Sequence, residues 1–419
     1  MRVLVIGSGG REHVICWKLK QSKRVTELFC APGNGGIAGL ATCVPITADD
    51  VEGITRFAVE ENIDFVMVAP ENPLALGLVD RLQSQGIRAF GPSAAAARIE
   101  SSKAFSKDLM VRYNIPTAKY RLFEKESDAL SYASEITLPA VVKADGLALG
   151  KGVIIAGDRM ELEDAIRAMF SEKKFGNAGD RVLIEECLEG PELTILAFSD
   201  GDTVLPMISS RDHKRALDGD LGKNTGGMGA ITPGADLTEA EEHRILETII
   251  RPTIAALKEE GAPFAGVIYF GLMLTRDGPK VIEYNARFGD PEAQAILPRL
   301  QNDLMEVFEA CVDHTLDRIK LVFKAGASCC VVMASGGYPD SYQKGYEIEG
   351  IETCGKLVFH AGTRLSDGKY LTNGGRVLCV YADAETTEKA IDSAYEGVRG
   401  IWFRDMHYRN DIGQTENKI

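Results

Sequence analysis

Residues 3–13 read VLVIGSGGREH, an apolar run followed by a glycine turn and the charged start of a helix. The same alternation fills the first hundred residues, where we predict strands at Thr26–Cys30, Asp64–Ala69 and Ile87–Phe90 and a helix at Leu74–Gln85. Short apolar strands separated by helices are typical of a parallel sheet covered on both faces. The sequence therefore predicts an α/β N-terminal domain whose ligands lie at the carboxyl ends of its strands.

The overall composition is that of an ordinary globular protein and limits the classes of partner. The 419 residues include 47 Lys and Arg against 61 Asp and Glu, a formal charge of −14, with 45% hydrophobic residues. This acidity argues against a general nucleic-acid binder. The sequence contains no apolar run of about 18 residues, so it predicts no membrane span. The N-terminus resembles a first strand rather than a secretory signal.

Cysteine and histidine usage argues against disulfides and zinc sites. The nine cysteines are odd in number and lack CxxC spacing, and the six histidines are scattered. Free, mostly buried thiols are typical of a reducing compartment. We expect a cytoplasmic protein.

Two glycine turns fall at the ends of the first two predicted strands. GSGGREH fails the dinucleotide fingerprint because Glu12 stands where its third glycine should be, and no acidic residue ends the second strand. Free N–H groups at a helix start, beside Arg11, suit a phosphate. PGNGG, residues 32–36, lies on the same rim of the sheet, so the pair indicates a phosphate–sugar site; plain tight turns are the alternative.

Two further stretches suggest a nucleotide. DGLALGKG, residues 145–152, is not a Walker A loop, since only three residues separate Gly146 from Gly150. It is a glycine loop after Lys143 that could cover phosphates, although an ordinary hairpin is equally consistent. EECLEGPE, residues 185–192, follows a predicted strand and could bind adenine through its backbone; a solvated acidic surface is the alternative.

The remaining two motifs contain most of the charged residues found in these six motifs. RDHKRALDGDLGKNTGGMGA, residues 211–230, is predicted to be a long irregular loop with a function. In VIEYNARFGDPE, residues 281–292, strand alternation puts Glu283 and Asn285 on one face, followed by Arg287. Two oxygen ligands one pleat apart suit Mg²⁺, which is bound by one or two carboxylates together with water and substrate phosphates.

Taken in order, these motifs resemble those of the ATP-grasp ligases, and more narrowly of the glycinamide ribonucleotide synthetases. The resemblance rests on VLVIGSGGREH, APGNGG, SKAFSK, VVKADGLALGKGV, RDHKR, KNTGGMGA and VIEYNARFGDPE, and it spans essentially the whole chain. It implies ATP-dependent ligation of glycine to 5-phosphoribosylamine through glycyl phosphate, in purine biosynthesis.

The resemblance also implies a fold and a domain order. It predicts a Rossmann-like parallel-sheet N-terminal domain, a small mobile lid, a central α+β core with the metal site and a C-terminal domain. The expected boundaries are 1–102 for the N-terminal domain, 103–116 for a linker helix, 117–189 for the lid, 190–324 for the core and 325–419 for the C-terminal domain. The expected oligomeric state is a monomer. Transient contact with neighbouring purine-pathway enzymes is compatible with it.

Site residues are carried over from the family motif by motif. ATP as co-substrate is expected to contact Lys103, Lys143, Gly150, Lys151, Glu185, Glu186, Cys187, Leu188, Glu192, Arg215 and Asn224. The glycine and phosphoribosylamine side comprises Gly9, Gly10, Arg11, Glu12, Asn34, Gly35, Gly36, Glu71, Asp212, Gly289 and Asp290. Catalysis is assigned to Arg215, Arg287, Asp212 and Lys214, and Mg²⁺ or Mn²⁺ to Glu283 and Asn285.

Some positions depart from the family pattern, and other functions stay open. Leu149 and Arg211 stand where the family more often has Ala and Gln, and the strand VIYFGLML lacks the acid that many ATP-grasp enzymes place before the metal pair.

The alternative functions are those of a sister ATP-grasp ligase, a nicotinamide-dependent oxidoreductase and an inactive nucleotide-binding regulator. The failed dinucleotide fingerprint disfavours the second, and the intact metal motif disfavours the third.

Overall fold

The N-terminal region forms a five-stranded parallel sheet, as predicted. The structure, a computed structural model, describes residues 1–147, 152–171 and 179–414. The strands lie in the order Thr42–Cys43, Glu27–Pro32, Arg2–Gly7, Phe65–Val68 and Arg88–Phe90. All neighbouring strands are parallel, and every side chain from Val3 to Ile6 is fully buried. Apolar side chains on both faces of the central strand are what fix this doubly covered sheet.

Six helices accompany this sheet, and one differs from its prediction. They are Gly10–Leu19, Val51–Glu60, Glu71–Ala75, Leu78–Ser84, Ala94–Ser101 and Lys103–Arg112. The prediction of one helix over 74–85 is wrong because Gly77, at φ 80°, separates two helices. That left-handed conformation suits glycine, which has no Cβ to clash.

A small antiparallel sheet with its own core follows in the chain. Its strands lie in the order Tyr120–Phe123, Val182–Glu186, Ala140–Ala144 and Val153–Ala156, and helices Glu126–Ala133 and Arg159–Phe170 pack together beside them. Its buried cluster includes Val142, Leu162 and Ile166. A separate core lets this sheet behave as a unit of its own. Half of the 145–152 glycine loop, residues 148–151 with Gly150 and Lys151 among them, lies outside the described residues.

A second antiparallel sheet forms the centre of the molecule. Its order is Val204–Pro206, Glu192–Asp200, Ala265–Thr275 and Gly278–Asn285. A long helical segment of this region consists of Glu239–Ile245 and Arg251–Glu259, joined by a π-helical turn at Leu246–Ile250. Pro252 has no N–H to donate, which favours an irregular hydrogen-bond pattern in the preceding turn. Helices Glu292–Ile296 and Leu304–Val312 follow.

The C-terminal sheet includes two strands from the region around residues 211–230, which was predicted to be an irregular loop. Its order is Arg211–Asp212, Gly229–Thr232, Ala327–Ser335, Arg376–Ala384 and Leu357–His360, with Met406–His407 paired to Ala327–Ser335. Between the first two strands, Arg215–Leu217 and Leu221–Asn224 form a hairpin, and a second hairpin joins Thr363–Ser366 and Lys369–Thr372. The prediction of an irregular loop is therefore wrong: Met228 and Ala230 are fully buried, and burying them draws the segment into a sheet.

Helix Thr387–Arg399 packs on this C-terminal sheet. All nine cysteines are free thiols and six of them are buried, which confirms the expectation drawn from their spacing. Within the described ranges, the structure contains no helix that is long and apolar enough to cross a membrane.

Candidate functional site

Two adjoining cavities lie between the small sheet, the central sheet and the N-terminal region. Their volumes are about 590 Å³ and 410 Å³. They share part of one wall, which includes Lys143, Glu185, Asp212, Lys214 and Glu283. Two pockets with a common charged wall can hold two ligands whose reacting groups meet there. We call the larger one the nucleotide cavity and the smaller one the acceptor cavity.

The nucleotide cavity gathers most of the residues predicted to contact ATP. It is lined by Lys143, Glu185, Glu186, Cys187, Leu188, Glu192, Arg215 and Asn224. Val141, Ile155 and Met273 add apolar surface to the same cavity. A flat base could lie against this apolar surface, with the charged groups left for the phosphates. The loop containing Gly150 and Lys151 follows Gly146, which lines the acceptor cavity.

A buried ion-pair triad supports the shared wall. Glu185 Oε2 lies 2.9 Å from Lys143 Nζ and 3.0 Å from Lys107 Nζ, and all three side chains are buried. Burial alone raises the pKa of Glu185, but the two lysines outweigh it and lower the pKa overall. Burial also lowers the pKa of Lys107 to about 8, against the opposing effect of Glu185. Both lysines contact Oε2, while Glu185 Oε1 is buried without a hydrogen-bond partner among the described residues.

The acceptor cavity gathers a second group of predicted residues. It is lined by Arg11, Glu71, Lys103, Asp212, Glu283, Asn285, Arg287 and Asp290. Lys103 Nζ donates to Gly146 O at 2.8 Å, so this lysine contacts the start of the glycine-rich stretch. Arg376 also lines the cavity, and its Nη2 lies 3.4 Å from Asp290 Oδ2. The lining thus combines cations, which can bind an anionic ligand, with an equal number of carboxylates.

Glu283 and Asn285 have the chemistry of a magnesium or manganese site. Both line the acceptor cavity from the Gly278–Asn285 strand, and Glu283 forms no ion pair with any described residue. Asn285 Oδ1 accepts only a long contact, 3.4 Å, from Arg287 Nη2. The described residues include no group of three or more His, Cys, Asp or Glu that could hold a metal ion. A two-ligand oxygen set fits an ion that is otherwise held by water and substrate phosphates.

Arg287 is held at the edge of the metal pair by two carboxylates. Its Nη2 lies 3.0 Å from Glu100 Oε1 and its Nε lies 3.4 Å from Glu71 Oε2. Burial disfavours the charged guanidinium, but Glu100 and Glu71 outweigh it and raise its pKa. Glu100 also accepts from Ala286 N at 2.7 Å, which fixes the backbone just after Asn285. Arg287 is therefore a permanent cation in the cavity wall.

The predicted catalytic pair Asp212 and Lys214 lies on the shared wall. Lys214 Nζ is 3.2 Å from Asp212 Oδ1 and 3.0 Å from Glu192 Oε2. Burial lowers the pKa of Lys214, but both carboxylates outweigh it and raise the pKa well above its usual value. Lys214 is thus a cation over the whole physiological range. It bridges the residue predicted for ribose to the residue predicted for the acceptor side.

The C-terminal segment fixes the hairpin that carries Arg215 and Asn224. The Arg409 side chain is fully buried and its Nη1 donates to Asp220 Oδ1 at 2.7 Å and to Arg215 O at 3.2 Å. Its Nε donates to Asp411 Oδ1, also at 2.7 Å. These contacts position one wall of the nucleotide cavity from more than 180 residues away in the sequence.

The predicted glycine turns lie next to the acceptor cavity rather than in its lining. Gly9, Gly10, Glu12, Asn34, Gly35, Gly36 and Gly289 are absent from the residues that line it. A Cβ on Gly9 would lie 3.1 Å from Asp290 Oδ2, so its backbone directly adjoins the wall. The Asn34 amide donates to Ser8 O and His360 O, both at 2.8 Å. Asn34 thus joins the two turns to the C-terminal sheet.

A pair of buried histidines lies at the same contact between the glycine turns and the C-terminal sheet. His360 N donates to His13 Nδ1 at 2.6 Å. Burial lowers the pKa of His13 to about 3 and that of His360 to about 4. A protonated His13 could not accept this hydrogen bond.

These histidines predict a loss of stability in mild acid. Between pH 6.5 and about 4 the unfolded chain binds protons that the folded chain does not, so stability falls as the pH falls. His13→Asn keeps an acceptor near the Nδ1 position and removes one titrating group. We expect the stability lost between pH 6.5 and 5 to be smaller in the variant by about 2 kcal/mol. Urea unfolding of both proteins across this range measures it, and identical losses would contradict the role of His13.

Sequence reasoning missed several residues of the acceptor cavity. Its lining also includes Glu100, Lys107, Tyr269, Glu292 and Arg376. Glu292 is the last residue of the motif VIEYNARFGDPE, and Lys107 is the last residue of SKAFSK. Both therefore belong to motifs that carry the family resemblance, but neither was predicted to have a role in the site. Arg376 gives no such signal, because it begins a strand of the C-terminal sheet and reaches the cavity only through the fold.

Comparison with known families first defines the class. Residues 101–293 match the family model described as the ATP-grasp (A) domain of phosphoribosylglycinamide synthetase, so the protein is of the ATP-grasp ligase class. Residues 1–100 match the N domain of the same synthetase and residues 328–415 match its C domain. The chain belongs to the phosphoribosylglycinamide synthetase family.

Individual relatives agree over the full length. A phosphoribosylamine–glycine ligase of Caldanaerobacter subterraneus subsp. tengcongensis is 46% identical over 98% of this chain and 99% of its own. The trifunctional purine biosynthetic protein adenosine-3 of Gallus gallus is 48% identical over 98% of this chain and 42% of its own. The crystal structure of a phosphoribosylamine–glycine ligase from Thermotoga maritima has a TM-score of 0.87 at 33% identity, covering 98% of this chain and all of that one.

Proposed function

We infer that this protein ligates glycine to 5-phosphoribosylamine with cleavage of ATP, giving glycinamide ribonucleotide, ADP and phosphate in purine biosynthesis. The observation that carries the inference is the charged wall common to the two cavities, with Lys143, Asp212, Lys214 and Glu283 facing both. A nucleotide in the larger cavity can present its γ-phosphate there. Two further substrates can approach from the acceptor cavity.

We propose a two-step route because a carboxylate has no usable leaving group. A carboxylate oxygen of glycine attacks the γ-phosphorus and ADP leaves, giving glycyl phosphate. The amine of phosphoribosylamine then attacks the carbonyl carbon and loses a proton, and phosphate leaves with the former carboxylate oxygen. The protein's part is to position the groups and neutralise charge, which Lys103, Lys143, Arg215 and Arg287 can do without a covalent enzyme intermediate.

Glu283 and Asn285 are the residues that would hold Mg²⁺ or Mn²⁺. When bound there, such an ion would neutralise charge on the transferring phosphoryl group. Asp212 and Lys214 would orient the acceptor beside it. Arg11, with the backbone around Gly9 and Gly10, would bind the phosphate of phosphoribosylamine, and the 32–36 turn its ribose. In the nucleotide cavity, Glu186, Cys187 and Leu188 would face adenine, and Glu192 the ribose.

We further propose the division of the chain predicted from its sequence, with boundaries after residues 102, 116, 189 and 324. The 117–189 unit would act as a lid that shields the acyl phosphate from water. The protein is proposed to act as a cytoplasmic monomer. The fused relative in Gallus gallus supports transient contact with neighbouring purine-pathway enzymes.

The test is ADP release by the purified protein with Mg²⁺-ATP, glycine and freshly generated phosphoribosylamine, each omitted in turn. We expect ADP only when all three are present. ADP formed with a different carboxylate or amine, but not with these, would replace the substrates while keeping the class of reaction.

A further inference from the structure

The carboxylates of the acceptor cavity are almost all committed to cations of the protein. Those with a partner are Glu71 and Glu100 on Arg287, Glu185 on two lysines, Asp212 on Lys214 and Asp290 on Arg376. Glu283 is the proposed metal ligand. One acidic side chain is left over.

That side chain is Glu292. It is 3% exposed and lines the acceptor cavity, yet it forms no ion pair and no hydrogen bond with another residue in the part of the chain that the structure describes. A Cβ on Gly289 would lie 2.3 Å from its Oε2, so the glycine leaves room for the carboxylate. Burial, and then the neighbouring Asp212, raise the pKa of Glu292 to about 7. Apart from a hydrogen bond with its own backbone N–H, this buried carboxylate has no partner among the described residues, and in particular no cation. A buried carboxylate without a cation indicates that a ligand supplies one.

We propose that Glu292 binds the ammonium group of glycine and thereby selects an amino acid over other small carboxylic acids. This inference rests on the proposed function. The cations of the cavity cannot pair with an ammonium group, and its other carboxylates are paired with those cations or assigned to the metal, so Glu292 is the acidic group that is left for it. Glycine must direct its carboxylate to the shared wall, where the γ-phosphate is proposed to lie. A carboxylate at Glu292, close enough to Asp212 for the two charges to interact, would hold the ammonium end of so small a substrate and fix that direction.

The test is Glu292→Gln, which keeps the shape of the side chain and removes its charge. We expect KM for glycine to rise about 30-fold or more, because a buried ammonium loses its ionic partner. KM for ATP should stay within about threefold of the wild-type value. The preference for glycine over glycolate, which has a hydroxyl in place of the amine, should fall by a similar factor of about 30. A purely structural role would not change that preference.

Two further variants make the outcome decisive. Glu306→Gln is the matched control, since this glutamate is exposed on the Leu304–Val312 helix outside both cavities, and it should leave all constants unchanged. Glu292→Asp keeps the charge and should keep the preference for glycine over glycolate. If Glu292→Gln does not fold, this aspartate variant decides: its shorter side chain should raise KM for glycine several-fold, and an unchanged KM for glycine in a folded, nucleotide-binding protein overturns the proposal.

Other outcomes are separable. An unchanged KM for glycine in Glu292→Gln overturns the inference. A fall in kcat at constant KM also overturns it and points to proton transfer instead. A wild-type protein that never requires glycine for ADP release overturns the proposed function itself, whatever the variants do.

Discussion

Glu283→Ala is expected to abolish metal-dependent ADP formation, by about 10³-fold or more, while the protein stays folded. The carboxylate is the one charged member of the proposed metal pair, and Asn285 alone offers a neutral oxygen. Losing several kcal/mol of charge stabilisation on the transferring phosphoryl group corresponds to this factor. Steady-state ADP release measures the first effect. Mn²⁺ binding, followed by the electron paramagnetic resonance signal of the free ion, measures the cause.

A matched control separates charge at the site from charge in general. Glu352 is exposed and forms no described ion pair, so Glu352→Ala should keep both turnover and Mn²⁺ binding. The melting temperature of Glu283→Ala should stay close to the wild-type value. Near-normal turnover together with unchanged Mn²⁺ binding in this variant would remove the metal assignment.

Arg287→Met is expected to cost both activity and stability. The guanidinium holds Glu100 and Glu71, whose side chains are only 7% and 20% exposed, so its removal leaves two carboxylates without their cation. Breaking such a buried pair costs about 3 kcal/mol. Burial already raises the pKa of Glu100, and loss of Arg287 would raise it further. Urea unfolding at pH 7.5 measures the loss, and ADP release should fall with it.

A second substitution tests the cause of that loss. Adding Glu100→Gln to Arg287→Met removes one uncompensated charge and should restore part of the stability without restoring ADP release. If the double variant is as unstable as the sum of the two single variants, the carboxylates are not the reason and the account of this cluster is wrong.

The N-terminal sheet could be predicted because its information is local. Four consecutive apolar residues, Val3–Ile6, ending in a glycine turn leave little choice but a buried parallel strand. The shared orientation of Glu283 and Asn285, the proposed metal pair, could be predicted for the same reason, since strand alternation alone puts both on one face.

The errors have an equally physical origin. The 211–230 segment has turn-rich composition, but Gly229–Thr232 pairs with Ala327–Ser335, a partner about a hundred residues away that no local pattern announces. Arg376 and Arg409 reach the site only through such long-range pairing. The absence of a cationic partner for Glu292 could not be predicted, because it depends on which cations pair with the neighbouring carboxylates, and only the folded structure shows those pairs.

The central claim is that glycine is activated as an acyl phosphate by ATP in the wall between the two cavities. It is tested most directly with glycine labelled by ¹⁸O in its carboxylate, together with ATP and phosphoribosylamine. The account predicts one labelled oxygen in each inorganic phosphate released, detected by mass spectrometry, with glycinamide ribonucleotide formed in equal amount. Ligation that releases unlabelled phosphate would contradict it.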